Sequence, residues 1–293
     1  MAEPVIDMTN LNLFLDYIKE RYHIHIRKDR HMYPVTTNVL FKRHRYINIC
    51  RQHDTQTRLV IENVVNNPYL SLEDKIINIM MFRGWSLWDT VRFFGGVKTR
   101  RELLSNETIK TCKKKYEMIL RSNPRHKFFS SAPYIAILKT ANYNDAPPVL
   151  GVIYMARLAI KRKIPEKILE ASSEQEVIDL LKTLPGIASF IAYQMFLDMC
   201  YIPEFPFSDE NFVIASTRVK FAIRSIFTYS DGLSYEDCIK YLRDNLSELA
   251  PEFIEDMKEI MVDLPIEDRQ MTLTRLQSSL YGFADYLKLI TRR

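Results

Sequence analysis

Thr183-Leu-Pro-Gly-Ile-Ala-Ser-Phe-Ile-Ala-Tyr193 lies between two stretches of helical spacing, and its reading decides the fold. Upstream, Leu180, Leu181 and Leu184 complete one apolar face. Downstream, Ile187, Phe190, Ile191 and Met195 recur at three- and four-residue intervals and open another. Pro185 and Gly186 predict a tight turn between them, because proline pre-sets φ and glycine reaches conformations that other residues avoid. Two readings fit. One is an ordinary αα-hairpin, turned for packing alone. The other is a helix-hairpin-helix element, in which backbone amides at the start of the second helix face a phosphate. Such a contact positions nucleic acid without reading its sequence. On that reading the DNA-binding residues are Lys182, Leu184, Pro185, Gly186, Ile187, Ala188 and Ser189.

Helical spacing dominates on both sides of the hairpin. Residues 11–18 open an amphipathic helix that Thr9 or Asn10 would cap, and a basic segment over 21–30 follows, ended by Pro34. Residues 38–65 read as one or two helices. Ser71-Leu-Glu-Asp has capping-box spacing for a helix through Met81, which Arg83-Gly84-Trp85 would break. The next helix runs from Ser86 to Gly95-Gly96. Helices over 108–121 and 149–163, one from Pro165 and one from Ser173 to Thr183 come next. The stretch 122–148 is loop-prone at both ends, with a short helix over 134–139. From Ser189 to Ile290 the spacing is again mostly helical, interrupted near 201–206, 230–233 and 264–265. No strand alternation is sustained. The expected class is all-α, with an N-terminal helix and basic segment over 1–34 and a two-lobed helical domain over 35–293.

Composition narrows the partners. At 293 residues and 47% hydrophobic, the chain has material for a large core, which excludes disordered and fibrous classes. Only 7 glycines occur, against an average usage of roughly 7%. That disfavours β-barrels and Rossmann folds. The four cysteines stand singly with no C-x-x-C, so neither zinc nor an iron–sulfur cluster is expected. No cofactor is called for. Residues 1–10 carry acids and no apolar run, unlike a signal peptide, and the longest apolar stretch is too short to span a membrane. The expected setting is the cytoplasm (the host's for a viral protein) or the nucleus of a eukaryote, without membrane. Residues 1–130 hold 23 Lys and Arg against 13 Asp and Glu, whereas residues 131–293 hold 18 against 23. A polyanion partner on the N-terminal half is one reading of this asymmetry, and a solvated basic surface is the other.

Asp209 lies 23 positions after Gly186, in Pro206-Phe-Ser-Asp-Glu-Asn-Phe-Val, read as the approach to a helix. A Leu-Pro-Gly hairpin with an Asp at this distance resembles the helix-hairpin-helix DNA glycosylase superfamily. The resemblance implies an Asp facing a flipped base and sugar, with the base extruded between two helical lobes. Bifunctional members carry a lysine four residues past the turn glycine. Here that position is Phe190, so Schiff-base strand cleavage is not supported.

A second polar pattern lies upstream, where Asn48, Arg51 and Asp54-Thr55 fall at three- or four-residue spacing and would share one helix face. It reads either as a cleft-facing site or as a solvated helix with an Arg–Asp pair. Together with Tyr46, the hairpin, Tyr193-Gln194, Asp209, Asn211, Phe227 and a terminal helix over 276–286, it is similar to the phage α-glutamyl/putrescinyl thymine pyrophosphorylase family. That family includes the helical domain found with 5-hydroxymethyluracil DNA kinases. Two positions depart from its pattern. Ala215-Ser216-Thr217 stands where a Gly-Pro-Gly-like run is expected, and Gly282 where an acid is expected near the terminal Phe283.

The resemblance implies hypermodification of thymine in double-stranded DNA that contains a modified pyrimidine. An activated 5-hydroxymethyluracil has its phosphate or pyrophosphate displaced by a small amine or amino acid, with a partner kinase acting first. Leaving-group cations are Arg43, Arg45, Arg51 or Arg218. A carboxylate must take a proton from the amine, Asp209 first and Asp54 second. Asn48, Asn211 or Gln194 suit the base edge. Tyr193, Phe207 and Phe212 are candidates for stacking. The scheme needs no metal. A monofunctional glycosylase using Asp209, and a noncatalytic DNA-binding module, are the competing functions. His23, His25 and His31 read as phosphate-facing or solvated, Lys113-Lys-Lys115 as a solvated face or a nonspecific DNA contact, and Trp85 and Trp88 as core. Gly95-Gly-Val-Lys98 lacks Walker spacing.

Overall fold

A computed structural model describes residues 4–44, 46, 48–130, 146–230, 232–262, 264–266 and 269–291. Asp7 caps α1 (Met8–Asp29), its Oδ1 accepting the Asn10 amide at 3.0 Å, so the cap precedes Thr9 and Asn10. Tyr22, Ile24 and Ile26 carry the apolar stripe on, and the basic segment is the second half of the same helix. Asn38 caps α2 (Val39–Arg43). Beyond it the backbone leaves the helical region. Arg51–His53 form a single 3-10 turn, and Asp54 is the N-cap of α3 (Thr55–Val60), which widens into a π turn over Ile61–Val65. Of the one or two helices expected over 38–65, two short ones form, α2 and α3, with the 3-10 turn between them.

Ser71 caps α4 (Leu72–Trp85), accepting the Asp74 amide at 3.2 Å. Asp74 does not complete a capping box, because its carboxylate takes the Arg100 amide instead, at 2.8 Å. Arg83-Gly84-Trp85 does not break this helix. Gly84 is buried within it, and the stop is Ser86 at φ 51. α5 (Trp88–Phe93) ends at Gly95 and Gly96, whose φ of 98 and 76 suit glycine. A reciprocal capping box of Thr99 and Glu102 opens α6 (Arg100–Leu104). Then come α7 (Asn106–Ser122), α8 (Pro148–Lys161), α9 (Ile164–Leu169), α10 (Glu174–Lys182) and α11 (Ser189–Met199). The chain closes with α12 (Thr217–Ile226), α13 (Tyr235–Leu249), α14 (Pro251–Met261) and α15 (Leu273–Ile290). The short helix expected over 134–139 lies outside the described residues. Among the described residues the strands are β1 (Val5–Ile6) and β2 (Phe227–Tyr229), one antiparallel pair with Val5 opposite Tyr229. The fold is all-α.

The chain forms two units, one of Met1–His53 with Asp209–Arg293 and one of Asp54–Ser208. In the first, α15 packs on α12, α13 and α1, and α1 packs on α14. Residues 1–34 thus sit inside a unit whose edge falls at His53. Its aromatic cluster joins Tyr17 to Phe41 (5.5 Å between centroids), Tyr46 (5.7 Å), Phe283 (5.8 Å) and Tyr286 (5.5 Å). Gly282 lies under Tyr17, and a side-chain carbon there would run into the Tyr17 hydroxyl. The acid expected near Phe283 is absent because this position must be small.

In the second unit α4 is buried on all faces, against α8, α11, α5 and α9. Trp85 and Trp88 are core, with Trp85 Nε1 donating to the Val149 carbonyl at 2.8 Å. Arg83 on α4 holds Asp198 on α11 through two hydrogen bonds, Nε to Oδ2 and Nη2 to Oδ1, the latter 2.7 Å. Both residues are buried.

Candidate nucleic-acid interface and carboxylate site

In the second unit α10 and α11 pack together as the hairpin that the sequence predicts. Leu184 and Ile187 point into the core, which pins the turn from beneath, and the Ile187 amide donates to the Leu184 carbonyl at 3.2 Å. Pro185, Gly186, Ala188 and Ser189 are exposed on its outer side. Gly186 adopts φ 81, in the left-handed region that favours glycine. Ala188 is the N-cap of α11 and has no side chain that can cap it. Ala188 and Ser189 are exposed at the start of α11, the positive end of the helix dipole, a place suited to an anion. Lys182 is exposed, but its ammonium bonds Asp179 at 2.9 Å, so its charge is shared locally.

Asp209 is half-buried in the first unit. It does not directly precede a helix, since α12 starts only at Thr217. The helix it meets is α15. Thr274, in the first turn of α15, donates its hydroxyl to Asp209 Oδ2 at 2.5 Å. Among the described residues no cation forms an ion pair with Asp209. The first turn of a helix favours negative charge, so carboxylate and dipole are matched. Thr274 is not among the site residues expected from the sequence, although Thr272 and Thr274 at the head of a helix are a signal for polar groups collected there. Asn211 is exposed two residues beyond Asp209. The Ala215-Ser216-Thr217 departure has a local cause. The Ala215 amide donates to Glu236 Oε1 at 2.8 Å, and Ser216 caps α12 through the Val219 amide.

The other candidates disperse. Asn48 and Arg51 are half-buried but not on one helical face, because Arg51 belongs to the 3-10 turn and Asp54 to the N-cap of α3. Arg43 is exposed at the end of α2, and Arg45 lies outside the described residues. Arg218 donates to Asp285 Oδ2 at 2.8 Å and stacks over Tyr281, so its charge is largely spent within the fold. Tyr193 is fully buried, stacked beside Phe196 in the core of the second unit. Gln194 is half-buried one residue on, and Phe207 and Phe212 are half-buried.

A cavity of about 450 Å³ in the first unit is lined by Asp16, Lys19, Glu20, His23, Asp256, Glu259 and Ile260, none of them among the catalytic residues expected from the sequence. Lys19 bridges Asp16 (3.0 Å) and Asp256 (3.1 Å). Burial works against its charge, but those two hydrogen bonds outweigh it and raise its pKa. His25 lies against His53, with ring centroids 4.7 Å apart and the planes inclined by 52°. Among the described residues no three His, Cys, Asp or Glu side chains could hold a metal, and no helix is long and apolar enough to cross a membrane.

The family model described as "5-hmdU DNA kinase, helical domain" matches residues 8–292. No curated protein and no solved structure matches the chain. The matched span starts at the first residue of α1 and takes in the hairpin, Asp209 and the whole of α15. The chain belongs to the 5-hmdU DNA kinase helical-domain family, whose setting is the modification of bases in DNA.

Proposed function

We propose that this chain replaces the phosphate or pyrophosphate of an activated 5-hydroxymethyluracil in duplex DNA by an amine. In the second unit the α10–α11 turn serves to hold the DNA backbone; in the first, Asp209 serves the chemistry on the base. The amine nitrogen attacks the exocyclic methylene carbon, a C–N bond forms, and the C–O bond breaks with its electron pair leaving on the phosphate. The proton lost by the nitrogen passes to the Asp209 carboxylate. Asn211 supplies an exposed amide two residues away for the base edge. Arg218 would serve the leaving group only by exchanging Asp285 for phosphate.

One observation carries this reading: a half-buried carboxylate fixed by a hydroxyl donor rather than by a cation. The hydroxyl orients the carboxylate through Oδ2, and Oδ1 is the oxygen assigned to the amine. Membership of the family supports DNA as the substrate.

The test is nucleoside mass spectrometry of 5-hydroxymethyluracil DNA after co-expression with a candidate kinase and free amines. The expected product is a base heavier by the amine and lacking phosphate. Asp209→Asn keeps an oxygen for Thr274, and should lower product by about 10²–10⁴-fold while DNA binding persists. Abasic sites in place of product would transfer the reading to a glycosylase. DNA binding without chemistry would reduce the chain to a binding module.

A further inference from the structure

We infer that the turn joining α8 to α9, Lys161-Arg162-Lys163, is a second backbone-phosphate contact that works beside the hairpin; this rests on the DNA-binding reading above. All three side chains are exposed. Arg162 Nη1 donates to the Thr183 carbonyl at 3.1 Å, which ties the turn to the C-cap of α10, two residues before Pro185. The guanidinium thus fixes the position of the turn, and the two flanking ammonium groups are the ones left to meet a ligand. Lys163 has φ 54, a conformation uncommon for a lysine, and it starts α9 in a new direction. Among the described residues neither Lys161 nor Lys163 takes part in an ion pair. Lys182, the cation nearest the hairpin in sequence, gives its charge to Asp179. The hairpin supplies oriented amides without mobile charge, and the Lys161-Lys163 turn supplies the charge. The occupant that matches both is the sugar-phosphate backbone of duplex DNA, with one negative charge per about 1.7 Å of axis.

A purely structural account would give Lys161 the role of complementing the C-terminal dipole of α8. The experiment separates the two. Binding of the full chain to a fluorescein-labelled 5-hydroxymethyluracil duplex is followed by anisotropy between 50 and 200 mM NaCl. Each phosphate contact contributes about 0.9 to the slope of log K against log salt, so Lys161→Gln/Lys163→Gln should reduce its magnitude by about 1.8. The melting temperature should stay unchanged. Lys240→Gln/Lys288→Gln removes the same charge elsewhere and should leave the slope as it was. An unchanged slope in the first variant overturns the inference, as does an equal loss in the second. If the Lys161/Lys163 variant binds normally while Gly186→Val weakens binding, this inference falls alone. If the unmodified chain does not bind the duplex, the DNA-binding reading falls with it.

Discussion

Asp198→Ala should be the most damaging single substitution in the second unit. The carboxylate has 0% exposure and is held by two hydrogen bonds from a guanidinium that is itself buried. Its removal takes from the buried Arg83 guanidinium the carboxylate that accepts both hydrogen bonds. Breaking such a pair from one side costs about 3–5 kcal/mol. In a domain of this size 1 kcal/mol corresponds to roughly 2–4 °C, so the midpoint should fall by about 6–20 °C. Thermal unfolding followed by circular dichroism at 222 nm measures it. Replacing both partners by apolar residues of similar volume, Arg83→Met with Asp198→Leu, should restore most of the loss, because the desolvation cost of two charges disappears with their attraction. Asp198 lies on α11, so duplex affinity in the single variant should fall along the same temperature curve as the helix signal. A drop of less than about 2 °C in Asp198→Ala, or a double variant as unstable as the worse single one, would refute the argument.

Three further outcomes are expected. Gly282→Ala should destabilise the first unit by about 1–3 kcal/mol through overpacking against Tyr17, less roughly 1 kcal/mol of helix propensity, and Tyr17→Phe should rescue it; denaturant titration decides. Burial, assisted by the neighbouring Tyr286 and opposed by Arg21, pushes the Tyr46 phenol up to about 12, and burial raises Tyr17 as well. The folded state therefore holds these protons after the unfolded chain has released them near pH 10, so stability present below pH 10 is lost as pH rises toward 12. Unfolding midpoints at pH 8, 10 and 11 should show the decline, and Tyr46→Phe should flatten it. Gly186→Val forces a side chain into φ 81, and should weaken duplex binding in the same anisotropy assay.

The hairpin was legible in the sequence because its signals are local. Proline and glycine fix the turn, and Leu184 and Ile187 fix which side is buried. The all-α class and most helix positions follow from the same short-range spacing. The shared helix face expected upstream does not form, for an equally physical reason. Asn48, Arg51 and Asp54 have helical spacing, but the chain departs from the helix after Arg43, and periodicity cannot report a break that tertiary packing imposes. Gly84 shows the converse, a weak helix former carried through because α4 is buried on every side. Tyr193 looked like a stacking surface since aromatic rings for core and for base have the same composition. The partner of Asp209 was invisible for a different reason: Thr274 lies 65 residues further on, and the contact exists only once α15 is docked.

The order of the two units along the chain sets a schedule for folding. The segment from Asp54 to Ser208 is an insertion that separates α1 from α12, α14 and α15, the helices it packs against. During synthesis the inserted unit can close on its own short-range contacts while α1 waits, amphipathic and unpartnered, for sequence that emerges more than 160 residues later. Fast and slow refolding phases should therefore divide at His53 and Asp209, the fast one reporting Trp85 and Trp88 and the slow one the tyrosines around Tyr17.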